Sequence, residues 1–182
     1  SDSSLYSFIG KRVRVGELIE RMIIHSSNLA TNTLIAMAGA TNVDATAHAL
    51  GARRIHVRRG VEDQKAYDRG LNNTTTANDL AALMLAIERG QAASRESCTR
   101  MRDILLREVY TGEILAGLPP GTPVAQKTGW ITGILHDAAI VYPPGRTPYV
   151  LVVLTGSIPD EKVAKSLIAD LSRLVWEFTA AR

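Results

Sequence analysis

The sequence predicts an α+β fold, with helices in the first 118 residues and a small antiparallel sheet followed by a terminal helix in the rest. Apolar residues recur at helical spacing through the first part, whereas short apolar runs between proline and glycine turns dominate from residue 124 to 155. No internal repeat or linker interrupts this order, which is typical of α+β proteins rather than of alternating βαβ units. We therefore expect a single domain over 1–182, with a mostly helical part at 1–118 and a sheet hairpin plus terminal helix at 119–182.

Three helices are predicted before residue 52. The first spans 15–24 and ends near His25, because apolar residues recur there at three- and four-residue spacing. Its apolar positions are Val15, Leu18, Ile19, Met22 and Ile23. A second helix is expected after the polar tripeptide 26–28, and a third, capped by Thr41-Asn42, is expected to close at Gly51.

A loop and two further helices are predicted for the middle of the chain. Arg53–Val57 favours a short strand, whereas 58–73 has no hydrophobic period. Thr76 and Asp79 form a capping-box pattern with Asp in place of Glu, and Ser94 caps the next helix. The expected inner face of that next helix consists of Met101, Ile104, Leu105 and Val109.

Three strands and a terminal helix are predicted for the remainder. The strands are Val124–Lys127, 136–142 and 148–155, and the last two form an antiparallel hairpin around the turn at 143–147. The terminal helix opens at 159–161, and its apolar residues fall on one face, which is expected to cover the sheet. Those residues are Val163, Leu167, Leu171, Leu174, Val175 and Phe178.

Composition and charge exclude several classes of protein. With 46% hydrophobic and 21% charged residues, the chain is neither disordered, collagen-like nor a coiled coil. Its apolar runs, such as 80–87 and 149–154, are far shorter than the roughly 20 residues of a membrane helix. The net charge of +3 comes partly from basic runs at 11–14 and 53–59, but stacking aromatic residues do not interleave with them, so nucleic-acid binding is not expected.

The sequence gives no indication of a metal or cofactor site. Cys98 is the single cysteine, so neither an internal disulfide nor a cysteine-based metal site can form. The four histidines do not share one helix face at ligand spacing. We expect no metal and no cofactor.

Three short segments carry the chemistry that the sequence suggests. Ser26-Ser27-Asn28 interrupts two helices, Glu62 lies in the irregular loop, and Lys127-Thr128-Gly129 is expected to end a strand. Each also has an ordinary structural interpretation, as a helix cap, a solvated loop charge and a common tripeptide. Taken singly, none of them identifies a function.

Together and in this order, the segments resemble the penicillin-recognising serine hydrolases, specifically the class A β-lactamase-like family. The family signature is Ser-x-x-Lys, then Ser-Asp-Asn, then Lys-Thr-Gly. The resemblance extends to 17–32, which is similar to the helix that presents the second motif, and to 73–80, which is similar to the threonine run after the omega loop. It implies a β-lactamase/transpeptidase-like fold, a small-molecule substrate such as a β-lactam or a related amide or ester, and export to the bacterial periplasm or cell surface.

The resemblance also implies catalytic roles. Ser26 would pass a proton to the leaving nitrogen, and Lys127 would supply a positive field beside it. Glu62 is the candidate for the base that activates water in deacylation. However, the family pattern Glu-x-x-Leu-Asn is not complete here, because Asp63-Gln64-Lys65-Ala66 follows Glu62.

The remaining site residues are expected to bind substrate or to support the site. Asn28 would hydrogen-bond the substrate's amide side chain, and Thr128, followed by Gly129, would offer its hydroxyl to the substrate carboxylate. The backbone N–H of Trp130 would be one oxyanion donor. Asn32 would orient groups of the loop. Ser27 stands where the motif has aspartate, which is expected to weaken a scaffold contact.

The largest departure from the family is the absence of any Ser-x-x-Lys in the sequence. The nucleophile, its lysine, the second oxyanion donor and the N-terminal helix and strands of the fold are therefore expected to lie outside this sequence, which resembles the C-terminal two-thirds of an enzyme. β-Lactam hydrolysis by the parent protein is the leading hypothesis. A penicillin-binding peptidase or esterase-like relative and a non-catalytic binding module or fragment are the alternatives. An exposed sheet edge and apolar surface should favour an N-terminal complementing segment or self-association.

Overall fold

The computed structural model describes residues 4–181 of the chain. Its residues group into two compact units, one that extends to Leu83 and one that begins at Met84. The single domain predicted over 1–182, with its division at 118, stays a prediction.

The structure has the α+β composition that the sequence predicts. The α-helices α1 to α7 span Val15–Ile24, Asn28–Ala38, Ala40–Ala49, Gln64–Asp68, Ala77–Glu88, Arg95–Leu105 and Glu161–Ala180. The strands β1 to β3 span Val124–Ile131, Ile134–Val141 and Tyr149–Leu154. Short 3-10 turns cover Ser4–Phe8 and Leu115–Gly117. None of the helices in the described part of the chain is both long and apolar enough to cross a membrane.

The first unit is built around the pair α1 and α2. The predicted helix over 15–24 is confirmed, and its apolar face places Leu18 in a small core with Leu5 and Ala30. Partly buried apolar side chains pack around this core: Phe8, Val13, Met22, Leu29 and Leu34. Burial of these faces is the main favourable contribution to the pairing of the two helices.

Two predictions for the first unit are wrong. The third helix begins at Ala40 rather than behind a Thr41-Asn42 cap, because Gly39 adopts a φ of 79° and turns the chain directly from α2 into α3. Arg53–Val57 forms no strand, since only a single bridge joins His56 to Thr74.

The loop predicted at 58–73 contains one short helix, α4. Asp63 caps it by accepting a hydrogen bond from the Ala66 N–H at 3.0 Å. A helix of only five residues is too short to produce a readable hydrophobic period, so the sequence did not indicate it.

In the second unit, the predicted capping residue of α6 is confirmed. Ser94 accepts a hydrogen bond from the Ser97 N–H at 3.1 Å. Cys98, Ile104 and Leu105 are buried on its inner face. Val109, which was predicted to share this face, is exposed beyond the end of the helix.

The sheet is antiparallel, with the strand order β1-β2-β3. The predicted hairpin between the last two strands is confirmed. Lys127-Thr128-Gly129 does not end a strand as predicted, because β1 continues to Ile131 and then turns through Thr132-Gly133 into β2. Gly133 has a φ of 75°, which suits a two-residue hairpin turn.

The face of α7 that covers the sheet is not the one that the sequence predicted. Ala164, Ile168 and Ser172 are buried, and the first two join the core of this unit. The other buried core members are Ile114, Leu118, Val124, Leu135, Ala139 and Val141. Five residues of the predicted covering face are exposed and form a row that we call the α7 stripe: Val163, Leu167, Leu171, Leu174 and Phe178.

A close backbone approach explains this rotation of α7. A Cβ added to Gly117 would lie 2.0 Å from the carbonyl oxygen of Ala169, so only glycine allows this distance. The Ser172 hydroxyl donates a hydrogen bond to the Ile114 carbonyl oxygen at 2.8 Å. Small and polar residues at these positions bring α7 against the turn at 115–117, and the larger apolar side chains are left on the outside.

Candidate active site

The Ser26-Ser27-Asn28 segment forms the junction between α1 and α2. Ser26 has a φ of 50°, in the left-handed region that non-glycine residues rarely adopt. Ser27 is fully buried, its N–H donates to the Arg21 carbonyl oxygen at 3.1 Å, and its hydroxyl caps α2 by accepting from the Ala30 N–H at 3.4 Å. The middle residue is thus part of the scaffold, whereas Ser26 and Asn28 on either side are half-buried.

Asn32, one turn further along α2, holds the loop that carries Glu62. Its side-chain Nδ2 donates to the Val61 carbonyl oxygen at 3.0 Å, and its Oδ1 accepts from the Val61 N–H at 2.7 Å. Gly60 passes so close that an added Cβ would lie 2.7 Å from the Asn32 Oδ1. The residue before Glu62 is therefore fixed to α2.

Glu62 itself is exposed and has a φ of 64°. Its carbonyl oxygen accepts a hydrogen bond from the Gln64 N–H at 2.9 Å, which tightens the turn before α4. No hydrogen bond or ion pair of its carboxylate occurs among the described residues. The carboxylate is thus presented outward on a backbone that is fixed by its neighbours.

Asn73 is a support of this loop that the sequence did not reveal. Its Oδ1 accepts from the N–H groups of Arg58 and Arg59 at 2.8 and 3.1 Å, and its Nδ2 donates to the Arg59 carbonyl oxygen at 3.1 Å. These bonds tie the end of the loop to its start. An Asn beside another Asn in a loop is usually a turn residue, so no sequence signal distinguished it.

Lys127 and Thr128 lie on β1, which is an edge strand of the sheet. The Lys127 ammonium contacts the carboxylate of Glu108 and donates a hydrogen bond to the Thr128 carbonyl oxygen at 2.7 Å. The Thr128 N–H and hydroxyl both donate to the same carboxylate, at 3.0 and 2.9 Å. Glu108, whose side chain is fully buried, was not predicted, because it stands alone in the sequence outside any motif.

Trp130 lies two residues further along the same strand. Because the Thr128 N–H points away from β2 to Glu108, the alternation of a strand directs the Trp130 N–H to the same outer edge. The Trp130 side chain is 65% exposed. At Gly129, between the two, an added Cβ would meet no atom within 4 Å.

Three buried carboxyl groups lie in the second unit and influence one another. Burial raises the pKa of Glu108, although the ammonium of Lys127 and the hydrogen bonds from Lys127 and Thr128 oppose this rise. Burial likewise raises the pKa of Glu113, against the attraction of Lys165. Burial raises the pKa of Asp137 to about 7. The hydrogen bond that Asp137 accepts from the Ile114 N–H at 3.0 Å opposes this rise, whereas the negative charges of Glu108 and Glu113 add to it. Asp137 is therefore the carboxyl group of this cluster whose titration reaches neutral pH.

The predicted site residues fall into two sets, one in each unit. The first unit carries Ser26, Asn28, Asn32 and Glu62, and the second carries Lys127, Thr128, Gly129 and Trp130. The structure brings Asn32 to the loop of Glu62, and it brings Lys127 and Thr128 to one carboxylate. Among residues 4–181, no cluster of His, Cys, Asp or Glu is arranged to hold a metal ion.

Comparison with known proteins identifies the family of this chain. The family model described as "Beta-lactamase enzyme family" matches residues 3–179. A β-lactamase of Citrobacter koseri is 28% identical over 93% of this chain and 60% of its own length. The solved structure of PBP-A is 31% identical, with a TM-score of 0.85 over 93% of this chain and 63% of that one. A class A β-lactamase from Mycobacterium abscessus is 25% identical, with a TM-score of 0.86 over 97% of this chain and 69% of that one.

The chain belongs to the beta-lactamase enzyme family. The β-lactamase/transpeptidase-like fold predicted from the motifs is confirmed. The chain spans 60% of the Citrobacter koseri relative and 63% of PBP-A. A variant of PBP-A was solved as an acyl-enzyme complex with penicillin-G, so at least one similar protein reacts covalently with a β-lactam.

Proposed function

We propose that this chain is the C-terminal part of a serine hydrolase that hydrolyses β-lactams through an acyl-enzyme on a serine outside this sequence. The arrangement along the outer edge of β1 is the observation that carries the proposal. There, the Lys127 ammonium, the Thr128 hydroxyl and the Trp130 N–H belong to three residues within four consecutive positions of one edge strand. Acyl transfer from a lactam requires a cationic group near the leaving nitrogen and N–H donors for the oxyanion.

The remaining roles are assigned by the family motifs. Ser26, held at a φ of 50° between two helices, passes the proton to the leaving nitrogen. Lys127 supplies the positive field beside it, which the carboxylate of Glu108 partly offsets. Asn28 binds the amide side chain of the substrate. Its own amide has no hydrogen-bond partner among residues 4–181, which leaves it available for that purpose. No step requires a metal or a cofactor.

In this proposal the chain is inactive without its complementing N-terminal segment, because Ser-x-x-Lys does not occur in it. Two surfaces of the second unit are suited to such a partner. The α7 stripe exposes five apolar side chains in a row, and β3, an apolar strand, has no partner on its outer edge in the part of the chain that the structure describes. The same surfaces would otherwise promote self-association. We further propose export to the periplasm or cell surface, as the family resemblance implies.

A penicillin-binding peptidase is the second candidate, and the surroundings of Glu62 favour it. The residues after Glu62 form the short helix α4 and do not complete the family's Glu-x-x-Leu-Asn pattern. Without a base that activates water, an acyl-enzyme forms and persists. The acyl-enzyme complex of a PBP-A variant with penicillin-G is an example of such a species in a similar protein.

The experiment that tests the proposal is the denatured intact mass of the natural material after incubation with penicillin-G. We expect an acyl adduct on a longer polypeptide or on a co-purifying N-terminal segment. If turnover is too fast to trap the adduct, the longer mass remains visible and penicillin-G is consumed. A single unmodified species with the mass of this chain, and no loss of penicillin-G, would instead identify a remnant or a binding module.

A further inference from the structure

The groups expected to recognise a substrate carboxylate already bind a carboxylate of the protein itself. Lys127 and Thr128 are the two residues to which the proposed function assigns this recognition. Both contact Glu108: the Lys127 ammonium touches its carboxylate, and the Thr128 hydroxyl donates to it at 2.9 Å. The Glu108 side chain is fully buried, so water does not replace these contacts.

The hydroxyl of Thr128 has a single proton, and that proton is used. A threonine hydroxyl donates one hydrogen bond and otherwise offers only acceptor lone pairs. Since the proton points to Glu108, the hydroxyl presents lone pairs to any incoming group. A substrate carboxylate is also a pure acceptor, so the two would repel rather than bind.

The positive charge of Lys127 is likewise compensated by Glu108. Its side chain is 25% exposed and can be reached from outside, but its ammonium lies against the buried anion of Glu108. Two opposite charges in contact produce a much weaker field at a third group than a lone ammonium does. The two backbone hydrogen bonds from the Thr128 N–H to Oε1 and Oε2, both at 3.0 Å, hold the anion in place.

We propose that Glu108 is a positioning residue that sets substrate specificity. Because its carboxylate binds Lys127 and Thr128, the site loses its preference for substrates that carry a carboxylate beside the scissile acyl group. This inference rests on the proposed function for the identity of the recognising pair. The enzyme then accepts neutral amides or esters about as well as the corresponding acids. A residue outside the family motifs thus decides which class of acyl compound the motif receives.

Binding of penicillin-G and of its neutral methyl ester to the 182-residue chain tests this proposal. Both ligands are titrated into the ¹⁵N-labelled chain, and Kd values are read from the amide signals of Gly129 and Trp130. In the natural sequence, the two Kd values should agree within about threefold. In Glu108→Gln, which removes the negative charge that contacts the ammonium, the acid should bind at least about tenfold more tightly while the ester is unchanged.

Two further variants separate specificity from structure. Glu113→Gln removes a neighbouring buried carboxylate that contacts neither Lys127 nor Thr128, and it should leave the ratio of the two Kd values unchanged. Glu108→Asp keeps the charge and should retain the natural ratio, which a merely structural role would not explain.

Several outcomes would overturn the proposal. They are a natural chain that prefers the acid by more than about tenfold, a Glu108→Gln variant with an unchanged ratio, and a Glu108→Gln variant that binds neither ligand. The first needs no variant, so the test survives if Glu108→Gln fails to fold. Acylation is not measured here, and the result is therefore separate from the success or failure of the intact-mass experiment.

Discussion

The side-chain amide of Asn32 forms a pair of hydrogen bonds with the backbone of Val61, donating to the carbonyl oxygen at 3.0 Å and accepting from the N–H at 2.7 Å. By donating and accepting at once, the amide side chain of Asn32 satisfies both backbone polar groups of Val61, as a neighbouring strand would do. It fixes the loop immediately before Glu62 without any regular secondary structure in the loop.

Replacing Asn32 by Ala should release this loop. Two hydrogen bonds of about 1 kcal/mol each are lost, so the amide of Val61 should lose protection from hydrogen exchange by about tenfold or more. Asn42→Ala is the matched control, since Asn42 is also on a helix and donates only an exposed bond to the Ala38 carbonyl oxygen at 2.9 Å. Equal exchange of Val61 in Asn32→Ala and in the natural chain would contradict this assignment.

Glu62→Gln should abolish turnover of penicillin-G by the complemented enzyme if Glu62 is the deacylating base. The substitution removes the carboxylate that would take a proton from water, so the acyl adduct should accumulate in the intact mass. Glu96→Gln, at an exposed position in the first turn of α6, should leave turnover unchanged. Unaltered turnover in Glu62→Gln would exclude that role for Glu62.

The stability of the second unit should decrease as the pH rises through about 7. Burial raises the pKa of Asp137 from 3.8 to about 7, so between these values the folded state binds a proton that the unfolded state releases. The stabilisation is complete below about pH 4 and is lost above about pH 7, with a magnitude on the order of 4 kcal/mol. Urea denaturation at several pH values, followed by tryptophan fluorescence, measures it, because Trp130 and Trp176 both belong to this unit.

Asp137→Asn should flatten that pH dependence. The amide oxygen of asparagine can still accept the hydrogen bond from the Ile114 N–H but does not titrate. The dependence of stability on pH that remains in this variant is due to Glu108 and Glu113, because burial also raises their pKa values. Asp170→Asn, which removes an exposed partner of Arg173, should keep the natural slope, and an unchanged slope in Asp137→Asn would refute the assignment.

Gly117→Ala should destabilise the second unit by about 3 kcal/mol or more. The new methyl group would overlap the carbonyl oxygen of Ala169, and α7 would have to move away from the sheet. Gly156→Ala is the control, because no atom lies within 4 Å of a Cβ added there. Comparable urea midpoints for the two variants would show that the approach of α7 is not as close as described.

The 182-residue chain alone should self-associate through the α7 stripe. Leu174→Lys places a charge within that row and should reduce the apparent mass in light scattering. Ser166→Lys adds the same charge at an exposed position outside the stripe and should have little effect. A natural chain that is already a stable monomer would count against this prediction.

The elements that hydrophobic period and capping chemistry define were predictable from the sequence. The bounds of α1 and the cap at Ser94 depend on neighbours within four residues, which a local pattern contains. The continuation of β1 to Ile131 was missed, since a two-residue turn at Thr132-Gly133 is a weak signal. The amphipathic pattern of α7 showed that apolar residues cover a wide part of the helix surface, but not which of them face the sheet. The close approach between α7 and Gly117 determines that face.

The same contrast holds for the candidate site. Motif residues such as Lys127 and Asn32 could be named because their types and order resemble a known family. Glu108 and Asn73 could not, since each acts through contacts with residues at least 14 positions away. Only the folded backbone brings such partners together.

The short turn at Thr132-Gly133 also has a kinetic consequence. Lys127 pairs with Ala138, and such local hairpins form within about 1–10 μs. The bond from Ser172 to Ile114, in contrast, closes a separation of 58 residues and must wait for slower chain closure. The strand that carries the lysine and the hydroxyl should therefore acquire its register among the first events of folding, before the terminal helix docks.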